Sequence, residues 1–205
     1  MIQFQIDADD TIKDIEERLG SLKRKAPSVL ASAVNMTAKD ARKMLASEAQ
    51  KVYAIKGGGF NKAMTIANAK QSSPLATIKA KGSPIELFKF KTSPATFKTG
   101  DSRPKSAKGR VKAHGGMKDL LVDGRWAFVT TFKSGHKTMV QRTTKDRLPI
   151  KTLMSPSIPK MLGDEDEVYG VVEPHIQELL DKNITIAIRK AIAREAAKAA
   201  KGGNV

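Results

Sequence analysis

Near neutral pH the side chains best able to take up and release a proton are the three histidines, His114, His136 and His175. Two imidazoles and a lysine around a scissile phosphate would make a ribonuclease, and the surplus of basic residues would suit its substrate. The spacing does not bring the histidines together. His114 falls in a lysine-rich loop, His136 in a turn between two strand-like runs and His175 at a helix start, none beside an evident nucleophile. The chain has no cysteine, which removes thiol nucleophiles, thiolate zinc sites and disulfides. No serine occupies a strand-to-helix elbow of the hydrolase kind. Gly57, Gly58 and Gly59 imitate a phosphate loop, but that loop needs a strand before it and a Lys-Ser/Thr pair after it. Here a helical stretch precedes and Phe60, Asn61 and Lys62 follow, so the glycines read as a turn. Asp164, Glu165, Asp166 and Glu167 lack the alternating ligands and glycine of a calcium loop and read as the acidic first turn of a helix. No catalytic, cofactor-binding or metal-binding residue is assigned, and no small-molecule substrate is expected.

Charge is the more informative chemistry. The 205 residues carry a net charge of +16, unevenly placed. Residues 1–50 hold eight basic and eight acidic side chains, residues 51–120 fifteen and three, and residues 121–205 fourteen and ten. A local excess of this kind attracts a phosphate backbone or an acidic protein surface over a Debye length of ~8 Å. It also fits a solvated surface that keeps the protein in solution, since charge alone carries no specificity. The densest part is 92–116, rich in Lys, Ser, Gly, Thr and Pro with Phe97 its one bulky side chain. It reads as an extended basic loop or arm, mobile in isolation, in which Lys98, Arg103, Lys105, Lys108, Arg110 and Lys112 are the candidate contacts to DNA or to an acidic partner. Too few aromatics interleave for a base-stacking platform.

The elements that must carry this arm follow from periodicity. Residues 2–6 alternate and open as a strand. Asp9 or Asp10 caps a helix with Ile12, Ile15, Leu19 and Leu22 on one face. Pro27 starts a second helix to about Val52, its stripe of Val29 or Leu30, Ala33, Val34, Thr37, Ala41, Leu45 and Ala49 or Val52 rich in alanine. Residues 61–69 suit a short helix, while 75–81 and 85–91 suit strands with period-two lysines on one face. That lysine face suits either a channel lining or an ordinary solvent face. A C-terminal helix runs to about Ala200, interrupted at Pro174. Aromatic content is 5%, a thin supply for a core of this size, so apolar surface is expected to be buried against other copies. The opening residues are not a secretory signal and no apolar run approaches the ~20 residues of a membrane span, so a soluble protein is expected. One α+β domain over 1–205 results: a mostly antiparallel sheet packed with two N-terminal helices and a long C-terminal helix.

Residues 126–161 organise the rest. Phe128, Thr130 and Phe132 alternate with Ala127, Val129 and Thr131, Ser134 and Gly135 make a turn, and 138–143 returns as a second strand. Pro149, Pro156 and Pro159 then predict an extended connector with one or two turns. In this stretch the aromatic strand, Met139-Val140-Gln141-Arg142, the basic turn and Leu148-Pro149-Ile150 resemble the minor tail protein Z family of tailed bacteriophages and prophages. The likeness is best over about 120–162 and looser upstream, and it brings no catalytic motif. Phe128, Phe132, Met139, Gln141, Arg142, Leu148, Pro149 and Ile150 carry it. It implies a structural virion protein at the head-proximal end of the tail, assembled in the host cytoplasm and active in head-tail joining. Implied partners are other copies in a ring, with six expected, the tail tube or terminator, neck proteins and DNA in the lumen. A free sequence-nonspecific nucleic-acid-binding protein is the alternative.

Overall fold

A computed structural model describes residues 1–6, 11–96 and 106–202. The expected capping acids Asp9 and Asp10 lie outside the described residues, as do Phe97, Lys98, Arg103 and Lys105. The order is β1 (Ile2–Ile6), α1 (Ile12–Leu19), α2 (Ala26–Val52), β2 (Met64–Ala67), β3 (Ala76–Ala80), β4 (Pro84–Glu86), β5 (Lys91–Ser93), β6 (Lys108–Arg110), β7 (Lys118–Asp119), β8 (Leu121–Val122) and β9 (Arg125–Trp126). There follow β10 (Phe128–Thr131), β11 (Lys137–Arg142), β12 (Ile150–Thr152), β13 (Met154–Ser157), α3 (Ile158–Leu162), α4 (Tyr169–Val172) and α5 (Ile176–Gly202). The fold is α+β, with several small antiparallel sheets instead of one large one.

Helix α2 is the spine. Its 27 residues rise about 40 Å, and Val29, Leu30, Ala33, Val34, Thr37, Ala38, Ala41, Leu45, Ala49 and Val52 are all buried. The alanines let neighbours approach closely, so one helix is covered along two sides. Sheet β1-β3-β2 lies on one of them, with Phe4 opposite Ile78 and Met64 opposite Ala80. Antiparallel α5 lies on the other, where Leu180, Ile184, Ala187 and Ile188 are buried. Between the two helices the Asn183 amide donates to Thr37 Oγ1 at 3.1 Å and to Asp40 Oδ2 at 3.2 Å. Helix α1 is a two-turn piece that runs through a 3-10 segment, Gly20–Lys25, straight into α2, so the two expected N-terminal helices form one bent run.

Four sequence expectations change. Residues 61–69 hold a short 3-10 turn and then β2, because β3 has a free edge that Met64 and Ile66 pair against with the correct face inward. The expected strand 85–91 is broken by a 3-10 turn, Leu87–Lys89, which buries both Leu87 and Phe90. Lys89 therefore falls in the turn and Lys91 in β5, both exposed, and the single lysine-faced strand expected over 85–91 is not formed. The connector after Pro149 is largely strand: β12 extends the β10-β11 hairpin, and β13 pairs with β4 with a register shift between Ser155 and Ser157 that accommodates Pro156, which has no N–H to donate. The acids at 164–167 form a turn between α3 and α4 instead of a helix start.

A second, smaller core lies under the strands after β4. Ala107, Ala127, Val129 and Met139 are its buried members, flanked by Phe88, Leu120, Trp126 and Leu153. The hairpin is as the alternation predicted, with Val129 opposite Met139 and Gly135 at φ 80° in the turn, where a Cβ would be strained.

Candidate functional site

The basic segment does not stand away from the protein where it is described. Its flanks are β5 and β6, paired from Lys91 with Arg110 to Ser93 with Lys108, and β7 adds a third strand. Gly109 sits at the centre of β6, where an added Cβ would lie 3.2 Å from Leu87 Cδ2 and 3.3 Å from Leu120 Cδ1, so the absence of a side chain allows the strand to seat. Beyond β6 the chain is clamped to the end of α2. Ala54 N–H donates to Val111 O at 2.8 Å and Ala113 N–H to Val52 O at 2.6 Å.

Each described cation of the segment has a partner. Lys108 Nζ is 3.4 Å from Asp119 Oδ1. Arg110 Nη1 donates to Gly115 O at 3.2 Å, while its Nε is buried without a partner among the described residues. Lys112 Nζ lies 2.5 Å from Glu167 Oε2 and 3.9 Å from Asp164 Oδ2. The Glu167 hydrogen bond, against some desolvation, raises the lysine's pKa above its ordinary value.

Asp164 is the hub of this contact. Tyr53 Oη donates to its Oδ2 at 2.7 Å, and the N–H groups of Asp166 and Glu167 donate to its Oδ1 at 3.2 Å. The tyrosine hydrogen bond, then the Glu167 amide and Lys112, hold the carboxyl below the usual carboxylate range. Burial first, and the Asp164 bond second, push the Tyr53 phenol well up. Between β6, Tyr53 and this turn opens a cleft of about 660 Å³ with Leu87, Val111, Leu120 and Pro156 as apolar walls and Lys112, Lys118 and Lys160 as cations. Such a lining suits an apolar segment that carries an acid at its edge. Sequence reasoning missed this site. Tyr53 and Asp164 are far apart in the chain, and the acids match a helix start equally well, so no local signal marks the pairing.

Of the residues that carry the family likeness, all but Phe132 and Leu148 belong to the framework of the strand region. Met139 is fully buried, and Gln141 Nε2 donates to Arg125 O at 3.0 Å and more weakly to Leu120 O, which ties the β8-β9 hairpin onto β11. The Arg142 guanidinium lies 5.5 Å from the centre of the Phe128 ring and donates to Asp146 O at 2.6 Å, fixing the basic turn. Pro149 O accepts from Thr143 N–H, and Ile150 pairs with Arg142, so the turn closes onto β12. Phe132 and Leu148 are exposed, the first stacked on the His136 ring.

The histidines are separated. His114 Nε2 lies 4.0 Å from Glu167 Oε1, His136 Nε2 lies 3.0 Å from both Glu86 oxygens, and His175 is exposed on a 3-10 turn. Among the described residues no group of three or more His, Cys, Asp or Glu could hold a metal ion, and no helix is long and apolar enough to cross a membrane.

No curated protein and no solved structure matches this chain. A family model does, that of prophage minor tail protein Z (GPZ), over residues 10–195. That span takes in α1, α2, the strand region, the Asp164 turn and most of α5, leaving out β1. The chain belongs to the prophage minor tail protein Z family and is a structural protein of the phage tail.

Proposed function

We propose that this chain completes the tail at its head-proximal end and takes part in head-tail joining, as a ring of identical copies with six as the expected number. The observation that carries the proposal is where the exposed large apolar side chains fall. Of the eight such side chains among the described residues, five, Leu121, Val122, Phe132, Leu148 and Met154, belong to the strand region, whose own core is the smaller one, while Met1, Val171 and Ile192 lie elsewhere. Scattered exposed apolar residues need no explanation, but a concentration on one thinly filled region is the mark of a surface that is covered in use. Neighbouring copies, tail tube or terminator and neck proteins are the partners that would cover it. The excess charge of residues 51–120 then faces DNA in the lumen or an acidic neighbour, and repetition around a ring turns weak single contacts into a collective field.

Light scattering on the purified protein, alone and after co-sedimentation with tail tubes, tests this reading. A ring-sized species, or tight capping of tubes by single copies, is the expected result. A monomer that ignores tubes, yet binds duplex DNA steeply as salt falls, would remove the tail-end assignment and favour a free nucleic-acid-binding protein.

A further inference from the structure

The strongest unassigned cationic feature lies away from the basic segment, in the groove between α2 and α5. From α2 and the residue before it come Lys25, Ser28 and Ser32; from α5 come Lys190, Arg194 and Lys198. These surround a hollow of about 300 Å³ floored by Val29, Ala187 and Ala191, side chains too short to fill it. The three α5 cations are spaced four residues apart. They therefore stand on one face of the helix, about 6 Å apart along its axis.

One carboxylate, Glu195, faces these four cations. It pairs with Lys25 and, at 3.3 Å, with Lys198, and those two partners hold its carboxyl below the usual range. Among the described residues Lys190 and Arg194 have no carboxylate partner, and the only polar contact of Lys190 there is a 3.9 Å approach to Met36 Sδ. Two lysines share one acid while the remaining two cations have none, so the groove keeps a strong positive excess. Serine hydroxyls on the facing wall add neutral donors. No aromatic or large apolar side chain lines it, so nothing there could stack on a base or seat an apolar side chain.

We infer that the α2–α5 groove is a sequence-independent binding site for the phosphate backbone of DNA. A row of evenly spaced cations with hydroxyl donors beside it and a shallow floor admits a phosphate chain lengthwise. Contacts of this kind position a duplex without reading it. The site does not rest on where in the tail the chain sits, and its test reads DNA affinity instead of assembly.

The test is fluorescence anisotropy of the full-length protein with a short labelled duplex of mixed sequence, titrated at several salt concentrations. Lys190→Gln with Arg194→Gln is expected to lower the slope of log affinity against log salt by about 1.8, two phosphate contacts' worth, and to weaken binding at about 50 mM salt by one to two orders of magnitude. Glu195→Gln, which frees Lys25 and Lys198, is expected to tighten binding, a gain that loss of a structural ion pair would not give. Lys145→Gln with Arg147→Gln removes as much charge from the exposed turn before β12 and is the control. Equal weakening by the control and the groove variant would show diffuse attraction and overturn the site. So would wild-type protein that captures polyglutamate but not duplex, which would make the groove a seat for an acidic protein. Both groove side chains are exposed, so circular dichroism should show unchanged helix content and keep the comparison valid.

Discussion

Tyr53, where α2 gives way to extended chain, donates a 2.7 Å hydrogen bond to Asp164 across 111 residues of sequence. The bond joins the helical spine to the turn that receives Lys112, and together with the Ala54–Val111 and Ala113–Val52 backbone bonds it holds the basic strand against the main core. Tyr53 is also packed against Phe60, with ring centroids 6.3 Å apart, and is buried. Its ring is held by packing and its hydroxyl by one carboxylate.

Tyr53→Phe keeps the packing and removes the bond. The two backbone amides keep Asp164 Oδ1 satisfied while Oδ2 is left with Lys112 at 3.9 Å, so the expected loss is about 1–2 kcal/mol, and the melting temperature should fall by about 2–8 °C. The acid side carries a sign. A carboxyl whose folded pKa is depressed contributes stability that is present above its unfolded pKa of about 3.9 and lost as pH falls through the folded value. The tyrosine is the leading cause of the depression at Asp164, so the variant should lose less stability than wild type on going from neutral pH to below about pH 4. Melting curves at both pH values measure it, and equal acid losses in the two proteins would contradict the role given to the bond.

The chain has two tyrosines, and both donate to carboxylates, Tyr53 to Asp164 and Tyr169 to Glu173 at 2.9 Å. Burial and the Glu173 bond push Tyr169 up to about 12, and burial and the Asp164 bond push Tyr53 up further. A phenol whose pKa is raised on folding contributes stability that is complete below its unfolded value near 10 and is lost as pH rises through the folded one. In ultraviolet titration the native protein should therefore show almost no phenolate at about pH 10, where the urea-unfolded chain is half ionised. Stability should decline from about pH 10 upward. Half-ionisation of either tyrosine near pH 10 under native conditions would show that its carboxylate bond is not made in solution.

What could be read from the chain beforehand was what local pattern determines. The α2 stripe from Val29 to Val52 is buried as its spacing implies, and the 128–142 hairpin turns at Gly135 because the alternation and the glycine point to one register. The elements that escaped are those decided by distant partners. Met64 and Ile66 fit a helix face as well as a strand face, and only the open edge of β3 selects the strand. Leu87 and Phe90 belong on one side of the chain, which a strand cannot provide and a 3-10 turn can. Pro156 argued against a strand, yet β13 tolerates it at a bulge. In the candidate site the cations from Lys108 to Lys112 were legible as a charged run, but the pairing of Lys108 with Asp119 and of Lys112 with Asp164 and Glu167 was not. Each acid lies in an element whose approach to β6 is set by packing, and no spacing rule reports that.

Met139 offers the most direct test of how the two cores divide the molecule. It is the largest of the four buried side chains beneath the strand region, and its β11 neighbours Thr138, Val140 and Gln141 are also buried. Truncation there leaves a void that Ala107 and Ala127 are too small to fill. Met139→Ala should cost about 2–5 kcal/mol, toward the upper end because so small a core can collapse only by moving strands. The loss should be local. Hydrogen exchange is expected to quicken across β10, β11 and β12 while the middle of α2, packed on the other core, keeps its protection. If α2 and β11 lost protection in step, the two clusters would be one cooperative unit. The thin core would then not be what leaves Leu121, Val122 and Phe132 in need of a neighbour.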